Sequence, residues 1–189
     1  MRKTSFYTNE ELLDLGFKKL GKDVKISRKT SIYDPHKMII GNSVRIDDFC
    51  VISGRVELNN NIHLATGVVM EGGDEGIFMD DFSALAYKTI VITGTDDYTG
   101  QALTNPTVPM AMRKMARKEV RIGKHVVVGG GSFIMPGVNL ADGCSVGAMS
   151  FVTRSTESWF VYFGIPAKKL KARNKDLLKF EEQLKIREN

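Results

Sequence analysis

An acidic pair followed by a tyrosine, Asp96-Asp97-Tyr98, begins a stretch of sequence unlike the rest of the chain. A carboxylate can accept a proton from an attacking group, or it can bind a cationic one. An unperturbed aspartate has a pKa of about 3.9, so it is a weak base unless its surroundings raise that value. The pair is therefore a candidate catalytic site, with Tyr98 and Asn105 as candidate substrate contacts. Simple turn formation with Gly94 and Gly100 is the alternative.

Histidine is the other candidate base, because it titrates near neutral pH. His63 lies one repeat turn before the acidic pair and is expected to project into the same cleft. The remaining histidines, His36 and His125, lie far from it in sequence. A zinc site of the three-histidine type needs ligands brought close together on one face, and this spacing does not favour one. We therefore expect no metal.

A repeat of six residues indicates which elements position these side chains. Aliphatic residues or methionine recur at six-residue intervals in three blocks: Ile40, Ile46, Ile52, Leu58, Leu64 and Met70; Met79, Leu85 and Val91; and Ile122, Val128, Ile134, Leu140, Val146 and Val152. Four residues after most of them stands a small or β-branched residue, for example Val44, Cys50 and Ser132. Gly or Asp often follows the aliphatic residue, where a bend requires an unusual backbone conformation.

A six-residue unit of this kind is one short strand plus one turn, and three units make one triangular coil. Stacked coils bury each aliphatic ladder against its neighbours. The sequence therefore predicts an all-β fold, a parallel β-helix, with a β-sandwich of short strands as the alternative.

The remaining segments divide the chain into three parts. Residues 1–23 form an N-terminal segment with a short helix, capped by Thr8 with Glu11 at the capping-box position. Residues 24–171 form the β-helix, interrupted at 95–119 by an extruded loop in which the repeat vanishes. Long loops inside compact domains usually have a function. Residues 172–189 are predicted to form a C-terminal helix that caps the open end of the solenoid.

Composition narrows the class of protein. The chain has 189 residues, 27 Lys plus Arg against 22 Asp plus Glu, and a net charge of +5. This mild excess suits an anionic small ligand, and no basic block interleaved with aromatics indicates nucleic acid. No apolar run is long enough to span a membrane. Cys50 and Cys144 lie within apolar alternation and indicate buried thiols of a reducing compartment, so we expect a cytoplasmic protein.

The hexads, the single extruded loop and the C-terminal pattern together resemble the hexapeptide-repeat acetyltransferases. The C-terminal pattern is the run from Val146 to Arg154 followed by Gly164-Ile165-Pro166-Ala167-Lys168. The resemblance is nearest to sugar O-acetyltransferases of the galactoside and maltose type and to their relatives in surface-polysaccharide synthesis. It implies a left-handed β-helix, a homotrimer with active sites between subunits, and acetyl-CoA as co-substrate.

The resemblance also implies roles for particular residues in binding coenzyme A. Gly130 and Ala148 would offer backbone groups to the pantetheine arm. Thr153 and Arg154 would lie near the adenine, and Lys168 and Lys171 would meet the phosphates. Lysine is a good point-charge partner for phosphate.

The catalytic group departs from the family pattern. Family members commonly place a histidine at the start of the extruded loop, where this chain has Asp96. Three explanations are open: Asp96 or Asp97 is the base, His63 is the base, or the acceptor is an amine that needs little help. The main expectation is acetyl transfer to a sugar hydroxyl. N-acetylation of a nucleotide-linked amino-sugar is the alternative.

Two other classes of protein share this architecture. One is a zinc enzyme resembling carbonic anhydrase, which the histidine spacing disfavours. The other is a non-catalytic β-helix that serves in assembly, and such a protein has no reason to keep a C-terminus suited to coenzyme A or a long loop at one coil.

Overall fold

A computed structural model describes residues 5–188 of the chain. It is a parallel β-solenoid of about seven coils with three faces, which confirms the predicted fold class. The first face is a six-stranded sheet of β1 (Lys19–Leu20), β4 (Ile39–Ile40), β7 (Val56–Leu58), β10 (Ile77–Met79), β15 (Val120–Ile122) and β18 (Asn139–Leu140). The second is an eight-stranded sheet of β2 (Lys25–Ile26), β5 (Arg45–Ile46), β8 (His63–Leu64), β11 (Ala84–Leu85), β16 (Val127–Val128), β19 (Ser145–Val146), β21 (Phe160–Phe163) and β22 (Lys168–Ala172). The third is a six-stranded sheet of β3 (Ser31–Tyr33), β6 (Val51–Ser53), β9 (Val69–Glu71), β12 (Ile90–Ile92), β17 (Phe133–Ile134) and β20 (Phe151–Val152).

The core consists of the predicted aliphatic ladders. Every aliphatic or methionine position of the three hexad blocks is at most 3% exposed. Equivalent residues of successive coils are in register, as for Ile52 with Met70 and Ile134 with Val152. The small second positions are also buried, including Val44, Cys50 and Ser132. Cys50 and Cys144 are free, buried thiols.

The corners between faces have positive φ angles, as a sharp turn requires. Glycine supplies some of these, such as Gly131, but Phe49, Lys88 and Met149 adopt φ of 61°, 56° and 57° without being glycine. Polar side chains stabilise one corner as a ladder. The backbone N–H of Asn42 donates to the side chain of Asn60, and the backbone N–H of Asn60 donates to Asp81. The corner bends therefore stack as regularly as the strands.

The N-terminal helix α1 (Asn9–Asp14) starts as predicted. Thr8 accepts from the backbone of Glu11, and Glu11 accepts from the backbone of Thr8, which completes the capping box. Leu12 is 1% exposed and belongs to the core. The first coil begins at Lys19, inside the segment assigned from sequence to the N-terminal part.

The extruded loop is anchored by an antiparallel hairpin of β13 (Gly94–Asp96) and β14 (Met115–Arg117). One short 3-10 helix, Met110–Met112, lies within it, and another, Pro35–Lys37, connects the first coil to the second. The hairpin leaves the solenoid directly after β12, and the repeat resumes at Val120 in β15. The predicted interruption is thus an ordered hairpin whose paired strands run from residue 94 to residue 117.

The C-terminal helix α2 (Leu177–Glu188) begins five residues later than the segment predicted from sequence, because β22 extends to Ala172. The expectation that α2 caps the open end of the solenoid is wrong. The second sheet ends in the antiparallel pair β21–β22, and α2 lies beside the outer side of that sheet. Glu181 of α2 is bonded to Lys124 and His125 in the turn before β16, which fixes the helix there.

Candidate active site

Asp96 lies at the end of β13, where the hairpin opens into its loop. Arg113 Nη2 donates to Asp96 Oδ1 at 3.0 Å, and the backbone N–H of Asn105 donates to Asp96 Oδ2 at 3.1 Å. The Asp96 side chain is 28% exposed, and that of Arg113 is 10% exposed. The hairpin thus presents a partly exposed carboxylate that is held from both sides.

These contacts determine the protonation state of Asp96. The hydrogen bond from Arg113, followed by that from the Asn105 backbone, lowers the pKa of the carboxyl below its ordinary value. A carboxylate with a lowered pKa is ionised at neutral pH and is a poor proton acceptor. The arrangement is better suited to binding a cation or a hydrogen-bond donor than to deprotonating a hydroxyl.

Asp97 has a different environment. Its two oxygens accept from the hydroxyl and backbone of Thr99 and from the backbone N–H groups of Gln101 and Ala102. These bonds, with those from Thr99 the largest, lower its pKa to about 2. Its acceptor positions are therefore used in shaping the turn, in line with the turn-forming alternative.

The two predicted substrate contacts also lie on the hairpin. Tyr98 is 86% exposed. Asn105 has φ of 70°, and its side-chain oxygen accepts from the backbone and hydroxyl of Thr107. This local turn directs the Asn105 backbone N–H to Asp96, so the structure brings Asn105 and Asp96 together.

His63 does not join them within the subunit. It lies on β8 of the second sheet, whereas Asp96 follows β12 of the third sheet. The expectation that His63 projects into the same cleft is therefore wrong for a single chain, because β8 and β12 belong to successive coils and lie on different faces of the solenoid. His63 Nε2 lies 2.8 Å from Asp47 Oδ2, and Asp47 also accepts from Arg45. His63 is 46% exposed on its side chain.

A cleft of about 210 Å³ lies at the base of the hairpin. Its lining includes Lys37, Asp74, Glu71, Thr93 and Arg117. Lys37 and Asp74 form an ion pair across it. Among the side chains of residues 5–187, no group of three or more His, Cys, Asp or Glu is placed to hold a metal ion.

Two of the predicted coenzyme A contacts meet at the corner between the second and third sheets. The backbone of Met149, next to Ala148, donates to Gly130 O at 2.8 Å, and Gly131 donates to Tyr87 O at 2.8 Å. A Cβ added to Gly129 would lie 2.3 Å from the Ala148 nitrogen, so this corner requires glycine. The result is a close stack of backbone turns, at which the side chains of Tyr87 and Met149 are each 66% exposed.

The C-terminal segment packs against the same corner. Phe151 donates to Gly164 O, and Ala167 donates to Phe151 O, so Gly164 to Ala167 lie alongside the start of β20. Lys168 follows as the first residue of β22, paired with Phe163, and Lys171 pairs with Val161. Both lysines are exposed. Thr153 and Arg154 lie after β20, at the opposite end of that strand, and are also exposed.

Arg113 is the site residue that sequence reasoning missed. It is 17 residues from Asp96, in a segment read as a loop, so no periodicity connects the two. Four basic residues lie in this segment, Arg113, Lys114, Arg117 and Lys118, and the sequence alone does not show which one meets the carboxylate.

Comparison with characterised proteins agrees with this geometry. No model of a known protein family matches the chain. A dTDP-4-amino-4,6-dideoxy-D-glucose acyltransferase of Escherichia coli is 37% identical over 178 residues, which cover 93% of this chain and 92% of that protein. No helix in the described part of this chain is long and apolar enough to cross a membrane.

Solved structures give the same result. AntD, an N-acyltransferase from Bacillus cereus, in complex with dTDP and 3-hydroxybutyryl-CoA, has a TM-score of 0.96 and 42% identity, and the match covers 99% of this chain and 100% of that one. A single-residue variant of AntD bound to dTDP-4-amino-4,6-dideoxyglucose and coenzyme A has a TM-score of 0.94 and 42% identity, over 97% and 98% of the two chains. The similarity extends over nearly the whole length of each protein. The chain therefore belongs to the hexapeptide-repeat sugar acyltransferases, and it is an acyltransferase that uses an acyl-CoA co-substrate.

Proposed function

We propose that this enzyme transfers an acyl group from acyl-CoA to the amino group of a dTDP-linked 4-amino-4,6-dideoxy sugar. The Escherichia coli relative acts on such a sugar, and the AntD variant binds one together with coenzyme A. The observation that carries the proposal is the ionised Asp96, paired with Arg113, where family members commonly have a histidine.

The amine explains this carboxylate better than the sugar hydroxyl that was the main expectation. A hydroxyl needs a base to become an effective nucleophile, and the lowered pKa values of Asp96 and Asp97 make both poor bases. An amine is already nucleophilic in its neutral form. An ionised carboxylate can attract its ammonium form and orient the amine after the proton is lost.

The proposed reaction balances without a strong protein base. The sugar ammonium loses one proton to solvent, and the neutral nitrogen attacks the thioester carbonyl carbon. The new C–N bond forms, the C–S bond breaks, and the second nitrogen proton passes to the departing thiolate. Asp96 holds the N–H groups in position during attack, which contributes through orientation.

The donor is proposed to lie along the corner formed by Gly130 and Ala148. Gly129, Gly130 and Gly131 carry no side chains at this corner, which favours the approach of an extended pantetheine arm. Lys168 and Lys171 would supply positive charge to the phosphates. Thr153 and Arg154 lie one strand length away and would contact the adenine end.

The acyl group is proposed to be acetyl, as the resemblance implies. AntD was solved with 3-hydroxybutyryl-CoA, so a longer acyl group is the second candidate. The acylated sugar nucleotide would be a precursor for a surface polysaccharide. The free thiols of Cys50 and Cys144 support the predicted cytoplasmic location.

A homotrimer is proposed because the third sheet has an apolar outer surface. Outward-facing residues of its successive strands are in register and partly exposed: Val51, Val69, Ile90, Phe133 and Phe151. A contiguous apolar ladder on a sheet face is typical of an interaction surface. A neighbouring copy would cover it and receive the hairpin.

The test is thiol release from acetyl-CoA and 3-hydroxybutyryl-CoA by the purified enzyme. The acceptors would be dTDP-4-amino-4,6-dideoxyglucose and its 4-hydroxy counterpart, between pH 6 and 9. Turnover confined to the amino-sugar, rising as the amine deprotonates, is expected. Turnover confined to the hydroxyl sugar would instead support transfer to a hydroxyl, the main expectation from the sequence.

A further inference from the structure

Arg113 is the least exposed basic side chain between residues 95 and 119. Its side chain is only 10% exposed, and it lies two residues before β14. Leu103 and Arg113 form an isolated bridge, and the Arg113 backbone N–H donates to Met110 O at 3.0 Å. The backbone around Arg113 is therefore fixed, and the guanidinium reaches Asp96 from a defined position.

Asp96 is held in one orientation by two donors on opposite oxygens. Arg113 Nη2 donates one hydrogen bond to Oδ1, and the Asn105 N–H donates one to Oδ2. An ionised carboxylate has about four acceptor positions, so each oxygen keeps capacity for a further donor. Because the side chain is 28% exposed, that capacity is accessible from outside the chain.

The bonding of Arg113 does not resemble that of a residue kept only for stability. Its Nε is fully buried and has no hydrogen-bond partner among residues 5–187, whose side chains the structure describes. A buried donor without a partner is unfavourable, and a buried ion pair can often be replaced by apolar residues without loss of stability. An apolar side chain would fill this place without an unpaired donor. The role of this arginine therefore lies in its contact with the Asp96 carboxylate.

We propose that Arg113 is a positioning residue that acts through Asp96 and so determines recognition of the amino group of the acceptor. The inference rests on the proposed function. Arg113 has no direct role in the chemical step. It fixes the orientation and the negative charge of Asp96, which then receives the amine.

The test compares Arg113→Met with the wild-type enzyme. Methionine fills the buried space without charge and without an unpaired donor. A matched control is Lys114→Met, which removes one positive charge from the next residue, whose Nζ is bonded to Gln101 and not to Asp96. Both variants are measured for steady-state turnover of dTDP-4-amino-4,6-dideoxyglucose, and for inhibition by dTDP, which lacks the sugar.

Arg113→Met is expected to lower kcat/KM for the amino-sugar by roughly tenfold or more, the usual scale for loss of a charge-assisted contact. Inhibition by dTDP and the KM for acyl-CoA should change less than about twofold, because they do not involve the amine. Lys114→Met should behave as the wild type. Arg113→Lys should recover part of the activity, because it restores the charge.

The comparison of the amino-sugar with dTDP separates positioning from a purely structural role. A distorted hairpin would weaken the binding of both ligands, whereas a misplaced Asp96 affects only the ligand that carries the amine. Equal losses for dTDP and the amino-sugar would overturn the inference. So would unchanged kcat/KM in Arg113→Met. Absence of wild-type turnover would instead contradict the proposed function itself.

Discussion

Two neighbouring aspartates of the hairpin, Asp96 and Asp97, differ in their hydrogen-bond partners and in the acceptor capacity that remains. Asp97 uses both oxygens on four donors of its own turn, whereas Asp96 accepts one bond on each oxygen and keeps free capacity. The sequence pointed to both residues as candidates, and the contacts favour Asp96. Which of the two accepts a hydrogen bond from Arg113 depends on the path of the loop between the aspartates and Arg113. The sequence does not predict that path, because the six-residue repeat is absent there.

Asp96→Asn should reduce kcat/KM for the amino-sugar by roughly tenfold or more, because the amide retains the shape but loses the charge that attracts an ammonium. The midpoint of thermal unfolding should change little, since the side chain lies outside the solenoid core. Steady-state kinetics and a thermal melt measure the two effects.

Asp14→Asn, on an exposed residue at the end of α1, is the matched control and should leave both quantities unchanged. Full activity in Asp96→Asn would contradict a role for this carboxylate in binding the acceptor.

The environment of Glu181 predicts that the attachment of α2 to the solenoid depends on pH. Its side chain is 7% exposed, and hydrogen bonds from Lys124, Lys185 and His125 lower its pKa to about 2, against the opposing effect of burial. Because the folded-state pKa is lowered, the stabilisation is complete above the ordinary value of about 4.5 and is lost as the pH falls toward 2. At about 1.4 kcal/mol for each pKa unit, its size is roughly 3 kcal/mol.

The attachment of α2 should therefore weaken in acid, between about pH 4.5 and 2. Hydrogen exchange of α2 amides at a series of pH values would follow this. In Glu181→Gln the exchange should already be faster at pH 7 and should depend less on pH. An α2 that remains equally protected at pH 3 and pH 7 in the wild type would refute this explanation.

At the scale of elements, the six-residue repeat predicted the strands well because every inward position has the same simple physical requirement. A side chain in the axis of the coil must be apolar, and the one before the bend must be small. The hairpin and α2 follow no such rule. The hairpin is stabilised by contacts between distant residues. Helix α2 is held beside the second sheet by the buried carboxylate of Glu181 and by Arg173, which donates to backbone carbonyls of the solenoid.

The ladder also predicts how stability responds to substitution. Ile134→Ala removes a fully buried side chain between Val91 and Val152, and should lower the free energy of unfolding by about 2–5 kcal/mol. Chemical denaturation measures this. Val127→Ala, a control on the same coil with 38% exposure, should cost less than about 1 kcal/mol. Equal costs for the two would argue against an inward ladder as the source of stability.

At the scale of the whole molecule, the outer surfaces of the three sheets differ. The six-residue repeat concerns only inward-facing residues. It therefore did not predict the apolar residues on the outer surface of the third sheet. That ladder has one apolar side chain per coil from Val51 to Phe151, whereas the first sheet presents Glu57, Phe78, Arg121 and Asn139. This asymmetry favours one face for association.

Phe133→Glu should therefore convert the proposed trimer to monomers, because it places a charge in the middle of the apolar ladder. Sedimentation analysis measures the mass. Asn139→Glu introduces the same side chain on the outer face of the first sheet and should leave the assembly intact. A Phe133→Glu protein with the mass of the wild type would show that the third sheet is not the contact face.

The most direct test of the proposed activity is the acyl acceptor itself. Purified enzyme, acetyl-CoA or 3-hydroxybutyryl-CoA, and dTDP-4-amino-4,6-dideoxyglucose should release free coenzyme A and yield one amide per thiol, identified by mass. The 4-hydroxy counterpart should give no product. Formation of an ester on the hydroxyl sugar, with the amino-sugar left unchanged, would contradict the assignment of the amine as the acceptor.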